Sequence, residues 1–242
     1  MIDSHCHLQY FKDNKRKEII SQLEAKNLKV ITIGTNLKDT LKTLEISQLS
    51  SLIFVSLGIH PTELNDLGDF EKFKNLVVRN QDKIVALGEC GLDFYKLTSK
   101  LSKNLQKELF LKQIELSSEI KKPLVVHSRE SFSEVFEILK NSNQNSVVMH
   151  FFTGSKVEAR KFLDLGVYLS FSTVITLTDD YNDVVKYVPL DRIFLETDSP
   201  FIRNNTPLDV EKVYQKAAVL KNIDYNEFVS KIDANVIKLF KI

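Results

Sequence analysis

Eight short β-branched runs alternate with longer amphipathic stretches along the 242 residues of this chain, at a mean step of about 30 residues. That alternation predicts parallel strands joined by right-handed crossovers. Eight such units, in a chain close to the roughly 250 residues typical of a closed α/β barrel, predict a (β/α)8 TIM barrel with extra C-terminal helices. Composition agrees, since 7 Gly and 5 Pro point to long regular elements and short connections. No linker or low-complexity tract divides the chain, so residues 1–242 read as a single domain. A doubly wound open sheet is the alternative. It lacks both a G-x-G-x-x-G after the first run and a Walker-type Gly-Lys-Ser/Thr.

The predicted strands are residues 2–7, 28–34, 52–59, 84–89, 124–127, 146–150, 166–171 and 192–196. Among the intervening helices, residues 15–27 carry Ile19, Ile20 and Leu23, and residues 101–120 carry Leu105, Leu109, Ile114 and Leu116 at near-helical spacing. Ser131 followed by Glu134, and Ser155 followed by Glu158, have the pattern of a capping box and predict helix starts. Residues 209–242 read as two further helices packed under or beside the barrel.

With 33 Lys+Arg against 32 Asp+Glu, the net charge of +1 excludes a binder that works by bulk basic charge. Any phosphate must then be held by a local site. The two cysteines do not suggest a disulfide framework. The polar cluster Asp3-Ser4-His5-Cys6-His7 follows Met1-Ile2 directly, where a signal peptide would place an apolar stretch. No apolar run approaches the roughly 20 residues needed to span a bilayer. The expectation is a cytoplasmic protein with no membrane partner.

All five histidines (His5, His7, His60, His127 and His150) fall at or just beyond the end of a predicted strand, as do Glu89, Arg129 and Asp198. In a barrel those ends converge on the face where active sites are built. His5 and His7 stand two apart, so both face one side and can hold one metal, while Cys6 turns outward. Glu89 ends an apolar strand between Gly88 and Gly91, where a carboxylate is costly unless paired or metal-bound. Its two oxygens could bridge two metals. His127 and His150 would complete a second site with Glu89. Asp198 closes the eighth strand, beside His5 and His7, and could ligate that metal and take a proton from an attacking water. Neighbouring Glu196 is expected to face the other way, as a structural residue. Imidazole and carboxylate donors fit Zn²⁺, Mn²⁺ or Fe²⁺, and carboxylate with water admits Mg²⁺.

The remaining residues of that face are assigned as follows. His60 supports a ligand or touches substrate; it joins Glu89 and Asp198 as a catalytic candidate. The substrate-binding candidates are His60, Arg129 and Arg203, with Lys96 and Lys100 as further phosphate contacts. Asp93 either orients a neighbour or caps a helix start. Phe94, Tyr95 and Phe201 could stack bases or simply pack.

Six blocks carry a resemblance over almost the whole chain. They are Asp3-Ser4-His5-Cys6-His7-Leu8, Gly58-Ile59-His60-Pro61, Gly88-Glu89-Cys90-Gly91-Leu92-Asp93-Phe94, Lys122-Pro123 with His127-Ser128-Arg129, His150 with Gly154-Ser155, and Leu195-Glu196-Thr197-Asp198-Ser199-Pro200-Phe201. In this order they resemble the TatD family of metal-dependent DNases, within the amidohydrolase-like barrels. The resemblance implies His5, His7, Glu89 and Asp198 at one metal and Glu89, His127 and His150 at the other. It further implies two divalent metal ions (Mg²⁺, Mn²⁺ or Zn²⁺) and hydrolysis of DNA phosphodiesters, as a 3′–5′ exonuclease. A narrow lumen favours single-stranded or frayed 3′ ends as the partner. Two departures stand out. Residues 202–207 replace a longer, basic family loop, and Phe151 replaces the family's usual Cys. The compact form loosely resembles the TatD-like component of Qat anti-phage systems, which implies protein partners in a defence complex. Other barrel hydrolases, acting on small phosphoesters, amides or lactones, form the remaining alternative. Many of them bridge their metals with a carboxylated Lys where this chain offers Glu89.

Overall fold

The computed structural model describes residues 1–95, 97, 99–142, 144 and 146–242, with side chains described for all of these except 65–67. In chain order the elements are β1 (Ile2–Cys6), α1 (Asp13–Lys26), β2 (Lys29–Gly34), α2 (Leu37–Ser47), β3 (Ile53–Leu57), α3 (Phe70–Arg79), β4 (Ala86–Asp93), α4 (Lys100–Ile120), β5 (Leu124–Arg129) and α5 (Phe132–Lys140). There follow β6 (Val147–Met149), α6 (Lys156–Asp164), β7 (Tyr168–Phe171), α7 (Asn182–Tyr187), β8 (Ile193–Leu195), α8 (Val210–Lys221) and α9 (Tyr225–Phe240).

The strands form one parallel sheet in the order β1 to β8, the (β/α)8 arrangement that the alternation predicts. Residues just past β8 close it onto β1. The His7 amide donates to the Ser199 carbonyl (2.8 Å) and the Asp198 amide to the His5 carbonyl (2.9 Å). Buried Asp3 stitches the same seam, accepting from Thr197 Oγ1 (2.6 Å), the Thr197 amide (2.9 Å) and the His5 amide (3.2 Å).

Strand alternation sorts the apolar side chains into two layers. Ile2, Ile31, Ile33, Ala86, Val125, Val148, Tyr168 and Phe194 fill the lower lumen, and Val236 and Phe240 of α9 plug its floor. The opposite strand faces pack against the helices in a larger cluster that includes Val30, Val55, Leu87, Val126 and Leu195. The upper lumen is left to polar side chains. Among the described residues no helix is long and apolar enough to cross a membrane.

Two strands break this alternation, and both carry candidate ligands. Between Asp3 and Cys6, β1 advances three residues while β2 advances two, from Val30 to Thr32. Between Leu87 and Cys90, β4 does the same against Leu124 to Val126. An extra residue of this kind re-aims the side chains beyond it. Ile2 therefore belongs to the lumen and Cys6 to the outer layer, four residues on. Gly88 and Gly91 make the β4 irregularity sterically feasible. Their φ angles are +131° and +136°. A Cβ on either would run into the carbonyl oxygen of Val125 or His127 on β5.

Helix α4 pins two strand ends. Gln113 accepts the Ile59 amide (2.8 Å) and donates to its carbonyl (2.9 Å). Gln106, seven residues earlier and so on the same helix face, accepts the Asp93 amide (2.9 Å) and donates to its carbonyl (2.9 Å). The backbone leading to His60 and the residue after Leu92 are thereby fixed. At the helix starts, the Ser155–Glu158 capping box is present. The one expected at Ser131–Glu134 is not. The Ser131 hydroxyl instead donates to the Leu92 carbonyl (2.9 Å) and pairs with Ser128 (3.0 Å), joining α5 to the mouth of the barrel.

Replacing Gln113 by Leu removes both partners of a buried peptide group, so unfolding stability should fall by about 2–4 kcal/mol. Denaturant titration checks this, and a loss under about 0.5 kcal/mol would show that the clasp does not hold Ile59.

Candidate metal centre

The sequence-predicted ligands meet at the C-terminal mouth of the barrel. The β1 register break turns His5 and His7 inward, their Nε2 atoms 3.2 Å apart. Glu89 enters from the break in β4. Its Oε2 lies 3.4 Å from His5 Nε2 and 3.9 Å from His7 Nε2. Its Oε1 lies 2.8 Å from His127 Nδ1, 3.0 Å from His150 Nε2 and 3.5 Å from His60 Nε2. The carboxylate thus presents one oxygen to each of two groups of imidazoles. Asp198 stands on the first side, Oδ1 3.4 Å from His7 Nε2 and 3.8 Å from His5 Nε2. It is held there in a left-handed turn at φ 52°, a conformation an Asp side chain tolerates.

Charge accounts for the electrostatics. Burial alone would push the Glu89 carboxyl up, but the His150 and His60 imidazoles, with hydrogen bonds from His127 and His150, hold it well below the usual range. Burial is likewise overcome at Asp198, by the hydrogen bond from His7 and the charges of His150 and His5, and its carboxyl is held down. Against its own burial, the His150 imidazole is carried well above its ordinary value by Glu89 and Glu196. His127 is raised by Asp93 and Glu89 despite burial. Burial and the neighbouring His150 lower His5, whose ring stacks on that of His150 at 3.8 Å between centroids. His60 is pushed down to about 4, first by burial.

These donors suit a divalent cation. Among the described residues, no Lys or Arg comes within 4.0 Å of Glu89, and its partners are the five imidazoles. Among the described residues, three sets of donor atoms lie within 4.8 Å of one another: His5–Glu89–His150, His5–His7–Asp198 and His60–Asp93–His127. Imidazole and carboxylate are the donors of Zn²⁺ and Mn²⁺ sites.

His60 is oriented by Thr62. The Thr62 amide donates to His60 Nδ1 (3.2 Å), which leaves the ring proton on Nε2, pointing at Glu89. Asp93 orients a neighbour, as one of its sequence readings had it: Oδ2 meets His127 Nε2 at 3.3 Å while Oδ1 accepts the Tyr95 amide. Glu196 departs from its reading as a structural residue facing away. It is fully buried and accepts from His150 Nδ1 (3.0 Å), the Phe151 amide (2.8 Å) and the Ser170 hydroxyl (2.5 Å). The chain leaves the β8 ladder after Leu195, so counting alternate residues no longer gives direction there. Its position one residue beyond an apolar run was the available signal.

A cavity of about 740 Å³ opens above this cluster. Arg129 lines it and stacks on Tyr95, 3.6 Å from the ring centroid. Phe201 lines the His7 side, edge-on to His7 and to Tyr10. Phe94 is buried under Lys103 and packs. Arg203 and Lys100 are exposed and do not line the cavity. Lys96 lies outside the described residues.

A (β/α)8 barrel with imidazoles and carboxylates converging at its C-terminal mouth has the architecture of a metal-dependent hydrolase. The family described as TatD related DNase matches residues 2–241, and the chain belongs to that family. It is 33% identical over 258 residues to YcfH of Escherichia coli, described as an uncharacterized metal-dependent hydrolase, covering 100% of this chain and 96% of that one. It is 31% identical over 257 residues to YabD of Bacillus subtilis, described in the same words, covering 100% and 99%. The crystal structure of YJJV, a TatD homologue of Escherichia coli, superposes with a TM-score of 0.91 at 24% identity, over 100% of this chain and 98% of that one. The likeness in structure agrees with the fold.

A cation that binds the folded state alone stabilises it, by about 2.7 kcal/mol at a hundred times its Kd. Mn²⁺ or Zn²⁺ added to chelator-treated protein should therefore raise the melting temperature by several degrees, and Glu89→Ala should remove most of that rise. A wild-type melting temperature indifferent to both ions would contradict the assignment.

Proposed function

We propose that this hydrolase cleaves phosphodiester bonds of DNA, releasing nucleotides from a single-stranded or frayed 3′ end, with two divalent cations held on either side of Glu89. The observation that carries this reading is the division of the Glu89 carboxylate, with Oε2 toward His5 and His7 and Oε1 toward His127 and His150. Asp198 joins the first pair. Four imidazoles among the donors favour Mn²⁺ or Zn²⁺ over Mg²⁺. Bound there, such ions would lower the pKa of water toward 7 and stabilise charge growing on phosphoryl oxygens.

The chain's own groups supply the rest. Asp198 borders the cavity and accepts a proton from the attacking water. His60 keeps its proton on Nε2, so it serves as a hydrogen-bond donor to a phosphoryl oxygen rather than as a base. Arg129 at the rim pairs with a phosphate further along the strand and positions it without reading sequence. Phe201 offers an exposed ring on which a base can stack. Exposed Arg203 stands beyond the cavity lining, where it would meet only a longer strand. The cavity is of small-molecule size, within the roughly 300–1,000 Å³ range of ligand sites, which suits a strand end better than a duplex.

Turnover of 5′- and 3′-labelled single strands with Mg²⁺, Mn²⁺ or Zn²⁺ tests the proposal. Nucleotide release should start from the 3′ end and should vanish in Glu89→Ala. Asp198→Asn should lower kcat by about 10²–10⁴. Persistent wild-type release in the Glu89 variant would refute the reading.

Arg129→Ala should raise KM while sparing kcat, and should reduce the salt dependence of binding by about one phosphate contact. Salt titrations of the two proteins that run parallel would place the phosphate elsewhere.

A further inference from the structure

We propose that Glu196 and Asp93 are positioning residues that fix the two imidazoles facing Glu89 Oε1, and so set how tightly that half of the centre holds its cation. The inference rests on the two-cation reading above.

An imidazole has two nitrogens, and what the outer one meets decides the direction and donor strength of the inner one. His150 turns Nε2 to Glu89 (3.0 Å) and Nδ1 to Glu196 (3.0 Å). His127 is reversed, with Nδ1 to Glu89 (2.8 Å) and Nε2 to Asp93 (3.3 Å). Opposite nitrogens therefore point inward, and in both rings the outward N–H donates to a carboxylate. The other half of the centre differs. His7 Nδ1 meets the Ile33 carbonyl (3.1 Å) and the Gln9 side-chain amide (3.5 Å), neither of them charged, and His5 Nδ1 has no hydrogen-bond partner among the described residues. Among the described residues, carboxylate support of an outward nitrogen is confined to the Oε1 side.

Glu196 is itself immobilised. Besides His150 it accepts the Phe151 amide on the same oxygen and the Ser170 hydroxyl on the other. It thus ties the ends of β6, β7 and β8 to one imidazole. The set His60–Asp93–His127 has the spacing of a third cation site. His127 Nε2, however, cannot both donate its proton to Asp93 and offer a lone pair to an ion. With Nδ1 already turned to Glu89, Asp93 serves as support for His127.

The test is the binding of Mn²⁺ to the chelator-treated full chain, followed by calorimetry and metal analysis, in wild type, Glu196→Ala, Glu196→Gln and Asp93→Asn. Wild type should take two equivalents. Glu196→Ala should weaken one of them by about 10–100-fold and leave the other unchanged. Glu196→Gln keeps an acceptor oxygen for His150 without the charge, and its affinity should fall between the two. Should Glu196→Ala fail to fold, Asp93→Asn, altered at a partly exposed side chain, decides through His127 and should weaken the same equivalent. Unchanged affinities in the folded variants would overturn the proposal, as would equal weakening of both equivalents. Uptake of a single equivalent by wild type would defeat the two-cation reading. Loss of affinity for that one ion in Glu196→Ala would still uphold the positioning role, and its retention would overturn it.

Discussion

A carboxylate buried at the end of an apolar strand, with imidazoles for partners, is the constraint around which this molecule is organised. Glu89 is only 4% exposed. A buried carboxylate without compensation costs several kcal/mol. The compensation comes from far along the chain, since His5, His60, His127 and His150 are brought to it by four other strands. Closing the barrel and satisfying Glu89 are therefore coupled. The Asp3–Thr197 clasp that seals β8 against β1 also sets the distance from Asp198 to His7.

The upper lumen concentrates negative charge in a nearly neutral chain. Glu89, Asp93, Glu196 and Asp198 lie around five imidazoles. The carboxylates beside His127 and His150 favour the protonated form of those two imidazoles, and both are raised. A cation needs those imidazoles neutral, so its binding releases protons. In the proposed form, two divalent ions balance the four carboxylates. A phosphate then meets a centre without excess negative charge, and the net charge of +1 need not include a basic surface.

Much of this was legible in the sequence because a barrel turns a linear pattern into a spatial one. Strand ends converge, so five histidines at strand ends already placed a site at one mouth. The outward Cys6 was legible from its place between two histidines that share a face, while the C-terminal helices were legible only as packing under or beside the barrel. Alternation fails where the ladder does. It could not give the direction of Glu196, which lies beyond the last paired residue of β8. Nor could it foresee the register breaks in β1 and β4, which depend on how neighbouring strands pair. Ser131 shows a third kind of failure. Its local pattern fitted a capping box, but a carbonyl on the adjacent strand offered the hydroxyl a better partner. Gln106 and Gln113 escaped notice because a polar residue in an amphipathic helix ordinarily faces water, and only the packed barrel supplies peptide groups for them to clasp.

The same division between strand ends and loops separates residues 202–207 from the centre. Asp198 is placed by its own amide on the His5 carbonyl and by the Thr197 seam, all upstream of that segment. The segment is anchored in turn by Asn205, whose amide donates to the Thr197 carbonyl (2.8 Å) and to Thr173 Oγ1 (3.1 Å). Donor geometry thus depends on backbone hydrogen bonds between strands, while the rim above it depends on what the following loop carries. A change in loop length acts on the second and leaves the first alone. The donor set and the rim above it can therefore vary separately on this scaffold.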